Sequence, residues 1–160
     1  PVGIRSFGPT RANISVSSNY FDESNEGTFC LAMIETQEAF DNLEDIASTP
    51  GLDGLYIGTA DLTIGLNQGK LRPGFDRKEP EMIEAKKKIL EIAHKHEKVA
   101  CLHCGTPEYA AKATNWGFDL VTITNDVRLL SGAAAAHVKK FKELTNQKTD
   151  ISSETDNSSY

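Results

Sequence analysis

Short apolar runs alternate with helix-period stripes along most of the chain. Residues 28–34 (TFCLAMI) are apolar on both faces, the pattern of a strand buried in a parallel sheet. Across residues 36–48, Ala39, Phe40, Leu43, Ile46 and Ala47 recur at helical spacing, which predicts one amphipathic helix stopped by Pro50-Gly51. A second short strand follows at 54–58, ending near Asp61, with room for a brief helical turn at LTIG before a Gly-rich loop over 65–78. Residues 79–96 carry the clearest stripe (Met82, Ile83, Ala85, Ile89, Leu90, Ile92, Ala93), with Pro80 in the first turn and Lys86, Lys87 and Lys88 as a solvated face. A strand at 98–103, a helix at 107–116 closed by Gly117, a strand at 120–124 and a helix at 127–144 complete the pattern. Residues 1–27 look irregular, and the polar segment 145–160 is expected to be a disordered tail.

The order is therefore β-α repeated four times. Strands alternating with helices imply right-handed βαβ units and a parallel sheet, so the fold class is α/β. Four units make half of a TIM (β/α)8 barrel, whose full form takes about 250 residues; a small doubly wound sheet is the alternative. The 160 residues suit one domain over 1–144 plus the tail. The first βα turn, IETQE, lacks G-x-G-x-x-G and gives no support to dinucleotide binding.

Charge and cysteine content narrow the function classes. A net charge of −6 argues against a nucleic-acid surface. No apolar run approaches the roughly 20 residues needed to span a bilayer, and the opening has no signal-peptide pattern. Three cysteines, Cys30, Cys101 and Cys104, suit free thiols in a reducing compartment, so a cytoplasmic protein is expected.

The candidate chemistry lies at two strand ends. Glu35 ends the first strand and Asp61 follows the second, and in parallel α/β folds chemistry gathers at the carboxyl ends of strands. Two carboxylates facing one spot repel unless a cation sits between them. Hard oxygen ligands suit Mg²⁺ or Mn²⁺, which keep water and substrate oxygens in the remaining positions. Taken by spacing alone, both acids fit better as helix N-terminal carboxylates stabilised by the dipole than as metal ligands, since acids at strand ends are common at caps. The small residues of Gly58-Thr59-Ala60-Asp61 allow backbone amides to approach a carboxylate or phosphate, although glycine at a strand end is also ordinary turn chemistry.

Longer stretches resemble the HpcH/HpaI aldolase family. The matching residues are Ala32-Met33-Ile34-Glu35-Thr36, Asn42-Leu43, and the block from Gly51 to Thr63, read against the family's G-x-D-G-x-x-I-G-P-A-D-L-S. The interval between Glu35 and Asp61 is also the family's. Pro1-Val2-Gly3-Ile4-Arg5, Trp116-Gly117-Phe118 and Thr122-Ile123-Thr124-Asn125-Asp126 resemble its flanking motifs, so the likeness runs over about residues 1–144. It implies the second half of a TIM barrel and a class II, metal-dependent aldolase acting on pyruvate or a related 2-oxo acid with an aldehyde. Glu35 and Asp61 would hold a divalent ion (Mg²⁺ or Mn²⁺, with Co²⁺ a further option). Amides near Gly58, Thr59, Ala60 and Asp61 would bind the substrate carboxylate, and the ion would act as a Lewis acid on an enolate.

Two departures stand inside the matching block: a family Gln is Met33, and the usual Pro of G-P-A-D is Thr59. The family's catalytic Arg and His–Asp relay have no counterpart by motif, and Arg5 and Arg11 are not those residues. A chain of this kind would be weakly active or inactive alone, and half barrels can pair, so a homo-oligomer is expected. The alternatives are a non-catalytic remnant or subunit acting by association, and a CoA-ester lyase related to citrate lyase β, for which the sequence shows no basic cluster. Cys101-x-x-Cys104 lacks a second pair for zinc and suits a buried strand. His94 and His96 suit a helix C-terminus, Trp116 suits the core, and His103 at a strand end carries only a weak signal for a site.

Overall fold

A computed structural model describes residues 8, 10–15 and 19–146. The chain divides at Cys30/Leu31 into two units. The first holds two short helices, α1 (Thr10–Ser15) and α2 (Tyr20–Glu23). In α2 the side chain of Asn19 bonds Glu23, and Thr28 donates its hydroxyl to Ser24 O just beyond. The N-terminal motif at Pro1 to Arg5 and the tail from 147 onward lie outside the described residues.

The second unit contains a four-stranded parallel sheet in the order β1 (Leu31–Ile34), β2 (Gly54–Ile57), β3 (Val99–Cys104), β4 (Leu120–Ile123). Each strand pairs with the next in sequence, as half of a barrel requires. Register places Met33 beside Tyr56, Tyr56 beside Cys101, and His103 beside Thr122.

Between the strands lie α3 (Gln37–Asp41), α4 (Leu43–Ala47), α5 (Thr59–Asn67), α6 (Pro80–Lys95) and α7 (Pro107–Trp116), and α8 (Asp126–Leu144) follows β4. One sheet face is the core. Ile34, Leu55, Ile57, Ala100, Leu102 and Cys104 are buried there with Leu43, Met82, Ile89 and Ala113 from the helices. Gly54 is required where β2 runs closest to its neighbours, since a Cβ there would meet Val99 O at 2.4 Å.

The single helix expected at 36–48 is two. Asn42 (φ −104°, ψ 23°) breaks it, and its side-chain amide donates to Glu38 O, competing with helical continuation. The strand expected from Thr28 begins only at Leu31, because its partner β2 offers four residues of ladder. Nor is β1 buried on both faces: it is an edge strand, and Met33 is 54% exposed. The turn expected at LTIG is the nine-residue α5, which extends into the expected loop to Asn67 and ends at Gln68 in the left-handed conformation. The largest correction concerns Lys86, which is fully buried rather than solvated. It stands four residues after Met82 and three before Ile89, squarely on the apolar stripe.

Candidate metal and substrate site at the carboxyl edge of the sheet

Glu35 leaves β1 where the chain turns into α3. The turn is fixed by Thr36, whose hydroxyl caps α3 by accepting from Ala39 N at 3.0 Å. The backbone beyond β2 is tied to the same place: Gly58 N donates to Ile34 O at 3.2 Å. Gly58 then begins α5. A Cβ at position 58 would lie 2.9 Å from Glu35 Oε2, 3.1 Å from Glu35 Cβ and 3.3 Å from Met33 Sδ. The half-buried Glu35 side chain thus occupies the space that glycine leaves open. α5 also presses on the β1 exit, since a Cβ at Gly65 would meet Gln37 N at 3.1 Å.

The start of α5 is chemically open. Leu62 N makes the first helical bond, to Gly58 O at 2.8 Å, so the amides of Thr59, Ala60 and Asp61 have no intrahelical acceptor. Gly58 offers no side-chain cap. Asp61 lies in the first turn with an exposed side chain, while Thr59 and Ala60 are buried. Thr59 Oγ1 is fully buried and, among the described residues, is the buried side-chain polar atom without a hydrogen-bond partner. It occupies the position where a proline would carry no polar atom.

The fold therefore brings Glu35 to the Gly58–Asp61 turn, with Asp61 at its end. Carboxylate oxygens beside open amides are a donor set that fits a hard divalent cation and a carboxylate ligand. Among the described residues no cluster of three or more His, Cys, Asp or Glu exists that could hold a metal ion. A Mg²⁺-type site does not need one, since such ions use one or two protein carboxylates and fill the rest with water and ligand oxygens.

The sheet face opposite the core carries a polar layer, of which sequence reasoning singled out His103 and missed Tyr56 and Thr122. Tyr56 Oη lies 2.8 Å from Thr122 Oγ1 and 3.3 Å from His103 Nδ1, and Thr122 Oγ1 lies 2.7 Å from His103 Nδ1. The ring of Phe75 meets His103 edge-on at 4.6 Å. Burial holds the His103 imidazole below its ordinary pKa, so it is neutral near pH 7. The signal for this layer was register: alternate residues of neighbouring parallel strands share a face.

The remaining singled-out residues are structural. Cys101 and Cys104 are both buried, and burial pushes the Cys104 thiol up to about 11. His94 bonds Asp119 at 2.8 Å, and His96 and Lys95 both bond Glu44 at 2.6 Å, clasping the end of α6 to its neighbours. Trp116 packs edge-on against Tyr109 at 5.8 Å.

Comparison with known proteins agrees with this architecture. A hydroxypyruvate/pyruvate aldolase of Rhizorhabdus wittichii is 39% identical over 144 residues, covering 90% of this chain and 56% of that protein. A 5-keto-4-deoxy-D-glucarate aldolase of Enterobacter sp. is 30% identical over 145 residues, covering 89% and 55%. The chain spans about half the length of the curated relatives it matches. An HpcH/HpaI aldolase/citrate lyase family protein of Burkholderia cenocepacia superposes with a TM-score of 0.66 over 89% of this chain and 54% of that one, at 23% identity. Macrophomate synthase superposes at 0.60 and 21% identity over 90% of this chain and 52% of its own, which at this distance shows the fold alone. With the family model for HpcH/HpaI aldolase/citrate lyase matching residues 1–131, the four β-α units belong to that family and form half of its TIM barrel.

Proposed function

We propose that this chain carries the metal-binding and 2-oxo-acid-binding half of an aldolase site, a carbon–carbon lyase. The observation that carries the reading is the seat of the Glu35 carboxylate over Gly58, directly before the open amides of α5. Glu35 and Asp61 hold a divalent ion, Mg²⁺ or Mn²⁺. When bound, that ion supplies Lewis acidity toward the keto oxygen of pyruvate or a similar 2-oxo acid. Thr59, Ala60 and Asp61 orient the substrate by donating their amides to its carboxylate, with the α5 dipole favouring the negative charge. Gly58 leaves the room in which the Glu35 carboxylate lies against the start of α5. The polar layer of Tyr56, His103 and Thr122 holds its own hydrogen bonds, and the neutral imidazole adds no charge to that face.

The aldehyde partner and the proton relay that the family resemblance implies have no assigned residues here, so turnover by the 160-residue chain alone is expected to be weak. A general acid–base group is typically worth 10²–10⁴-fold. Association with a second copy is favoured by α8, in which no residue is buried and Val127, Leu130, Val138 and Phe141 are exposed. The buried thiols of Cys101 and Cys104 support a reducing, cytoplasmic setting. Among the described residues no helix is long and apolar enough to cross a membrane.

The test is Mn²⁺ binding with and without pyruvate, on the wild type and on Glu35→Ala. Binding that pyruvate tightens, with both effects lost in the variant, supports the aldolase reading. A folded chain that binds neither ligand overturns it and leaves the fold working by association.

A further inference from the structure

The register of the sheet sets Glu35 and His103 in one row. The β1–β2 ladder ends at Ile34 beside Ile57, and the β2–β3 ladder ends at Ile57 beside Leu102. One residue further on stand Glu35, Gly58 and His103, and β4 continues the row with Thr122 beside His103. Gly58 N, donating to Ile34 O, carries the β1–β2 pairing up to this row. Glu35 and His103 are therefore two strands apart on one sheet face, with Cα atoms about 10 Å from each other. The residue between them is Gly58, which has no side chain, and the Glu35 carboxylate leans over it.

His103 is held in that row from behind. Phe75 meets its ring edge-on, and the segment carrying Phe75 is itself tied down. The buried Lys86 donates to Phe75 O at 3.4 Å and to the Tyr109 hydroxyl at 2.8 Å. Asp76 accepts from Gly105 N and from the Thr106 hydroxyl, both at 2.7 Å. Thr122 and Tyr56 also fix where the imidazole carries its proton. Each brings one hydroxyl hydrogen to a cluster of two oxygens and Nδ1. Whenever both hydrogens are used inside the cluster, Nδ1 accepts one of them. In the neutral ring the proton is then on Nε2. Among the described residues Nε2 makes no hydrogen bond, and it is not sealed from solvent.

We propose that His103 is a specificity-determining residue of the site, its Nε2–H donating to the oxygen on C4 of a 4-hydroxy-2-oxo acid. Such an acid is the adduct that joins a 2-oxo acid to an aldehyde, so the inference rests on the aldolase reading above. A 2-oxo acid whose carboxylate lies on the amides of α5 starts beside Gly58, and its carbon chain has the width of that glycine in which to run toward β3. Burial keeps the imidazole neutral, so it orients a hydroxyl or aldehyde oxygen without adding charge beside a carboxylate and a cation. Thr122 acts through His103 as a positioning residue, by holding Nδ1. His103 was visible in the sequence only as a strand-end histidine; its alignment with Glu35 depends on the register of three strands.

The test compares 2-oxobutanoate with 4-hydroxy-2-oxobutanoate, which differ only by the hydroxyl on C4. Both would be titrated into the full chain with Mg²⁺. The wild type is expected to bind the hydroxy acid tighter by at least about threefold. His103→Ala and Thr122→Val are expected to lose that preference while keeping their affinity for 2-oxobutanoate, and Thr122→Ser is expected to keep both. Nitrogen-15 spectra of the wild-type imidazole need no variant: they are expected to show the Nε2–H form, with the Nε2 signal moved by the hydroxy acid and not by 2-oxobutanoate. If 2-oxobutanoate binds but the wild type shows no preference, the preference survives in folded His103→Ala or Thr122→Val, or the Nε2 signal stays still, the proposal is overturned and the aldolase reading stands. A folded wild type that binds neither acid with Mg²⁺ overturns both.

Discussion

Glu35 and Gly58 meet so closely that a methyl group on the glycine would lie 2.9 Å from the Glu35 carboxylate oxygen. The backbone at Gly58 (φ −80°, ψ 77°) is accessible to other residues, so alanine there meets a packing conflict rather than a conformational one. The flexible end of Glu35 is the part that yields. Gly58→Ala is therefore expected to cost about 1–2 kcal/mol of stability and to weaken Mn²⁺ binding by at least about tenfold, an effect of about 1.4 kcal/mol. Parallel denaturant titration and Mn²⁺ titration separate the two. Unchanged Mn²⁺ affinity in a folded variant would detach Glu35 from the metal site.

Thr59 buries a hydroxyl that finds no partner, at the first position of α5. Proline fits the fold there: the first helical N–H needs no intrahelical acceptor, and the preceding Gly58 already lies outside the α region; the change also removes one of the three amides assigned to the substrate carboxylate, leaving those of Ala60 and Asp61. Thr59→Pro removes the orphan and restricts the unfolded chain. A gain of about 1 kcal/mol is expected, read as a rise in Tm of about 3 °C. A lower Tm would mean that Thr59 is satisfied by bound water.

Lys86 makes stability depend on pH. Burial pulls its ammonium from 10.5 to about 8, so the unfolded chain binds more protons than the folded one between those values. Stability therefore rises with pH in that window, by about 1 kcal/mol between pH 7 and pH 9. Cys104, raised from 9.0 to about 11, acts oppositely above pH 9 because the unfolded thiol ionises first, and Tyr109, raised by burial, does so above pH 10. Urea midpoints measured from pH 7 to 10 are expected to peak near pH 9. Lys86→Met is expected to be as stable as wild type or more so at pH 7 and to lose the rising limb. A rising limb that persists in the variant assigns it to another group.

Met33 stands beside Gly58 on the sheet face opposite the core, at the position where the family resemblance places a glutamine. Because Met33 is half exposed, a polar replacement leaves no buried polar group unpaired. Met33→Gln is expected to change stability by less than about 0.5 kcal/mol and to tighten pyruvate binding severalfold in the presence of Mn²⁺. A pyruvate affinity unmoved by the change would place the ligand away from β1.

The parallel β-α order was legible because it rests on long-lived signals: the stripes of α6 and α7, the helix stop at Gly117 and the apolar cores of β2 and β3. Glu35 and the Gly58–Asp61 turn were legible because strand ends in α/β folds are where ligands gather. What the sequence hid depended on long-range partners. β1 is shortened by the length of β2, a property of another segment. Asn42 splits a helix through its own side chain, where periodicity alone runs on unbroken. Lys86 sits on an apolar stripe yet has the chemistry of a surface residue, and only the hydroxyl of Tyr109 and the carbonyl of Phe75 explain its burial. The layer of Tyr56, His103 and Thr122 joins three strands whose register no single segment reveals.

The neighbour-to-neighbour strand order sets how this chain assembles in time. Each strand finds its partner one β-α unit away, so no loop longer than a single connection must close before the next ladder bond forms. The sheet can grow one unit at a time from either end, with α6 and α7 fastening β3 between its neighbours as they dock. Such local wiring keeps contact order low for a parallel sheet, which favours rapid folding. All the residues of β1 and β2 are synthesised before those of β3, so the contact of Glu35 with Gly58 can form before the rest of this sheet is made.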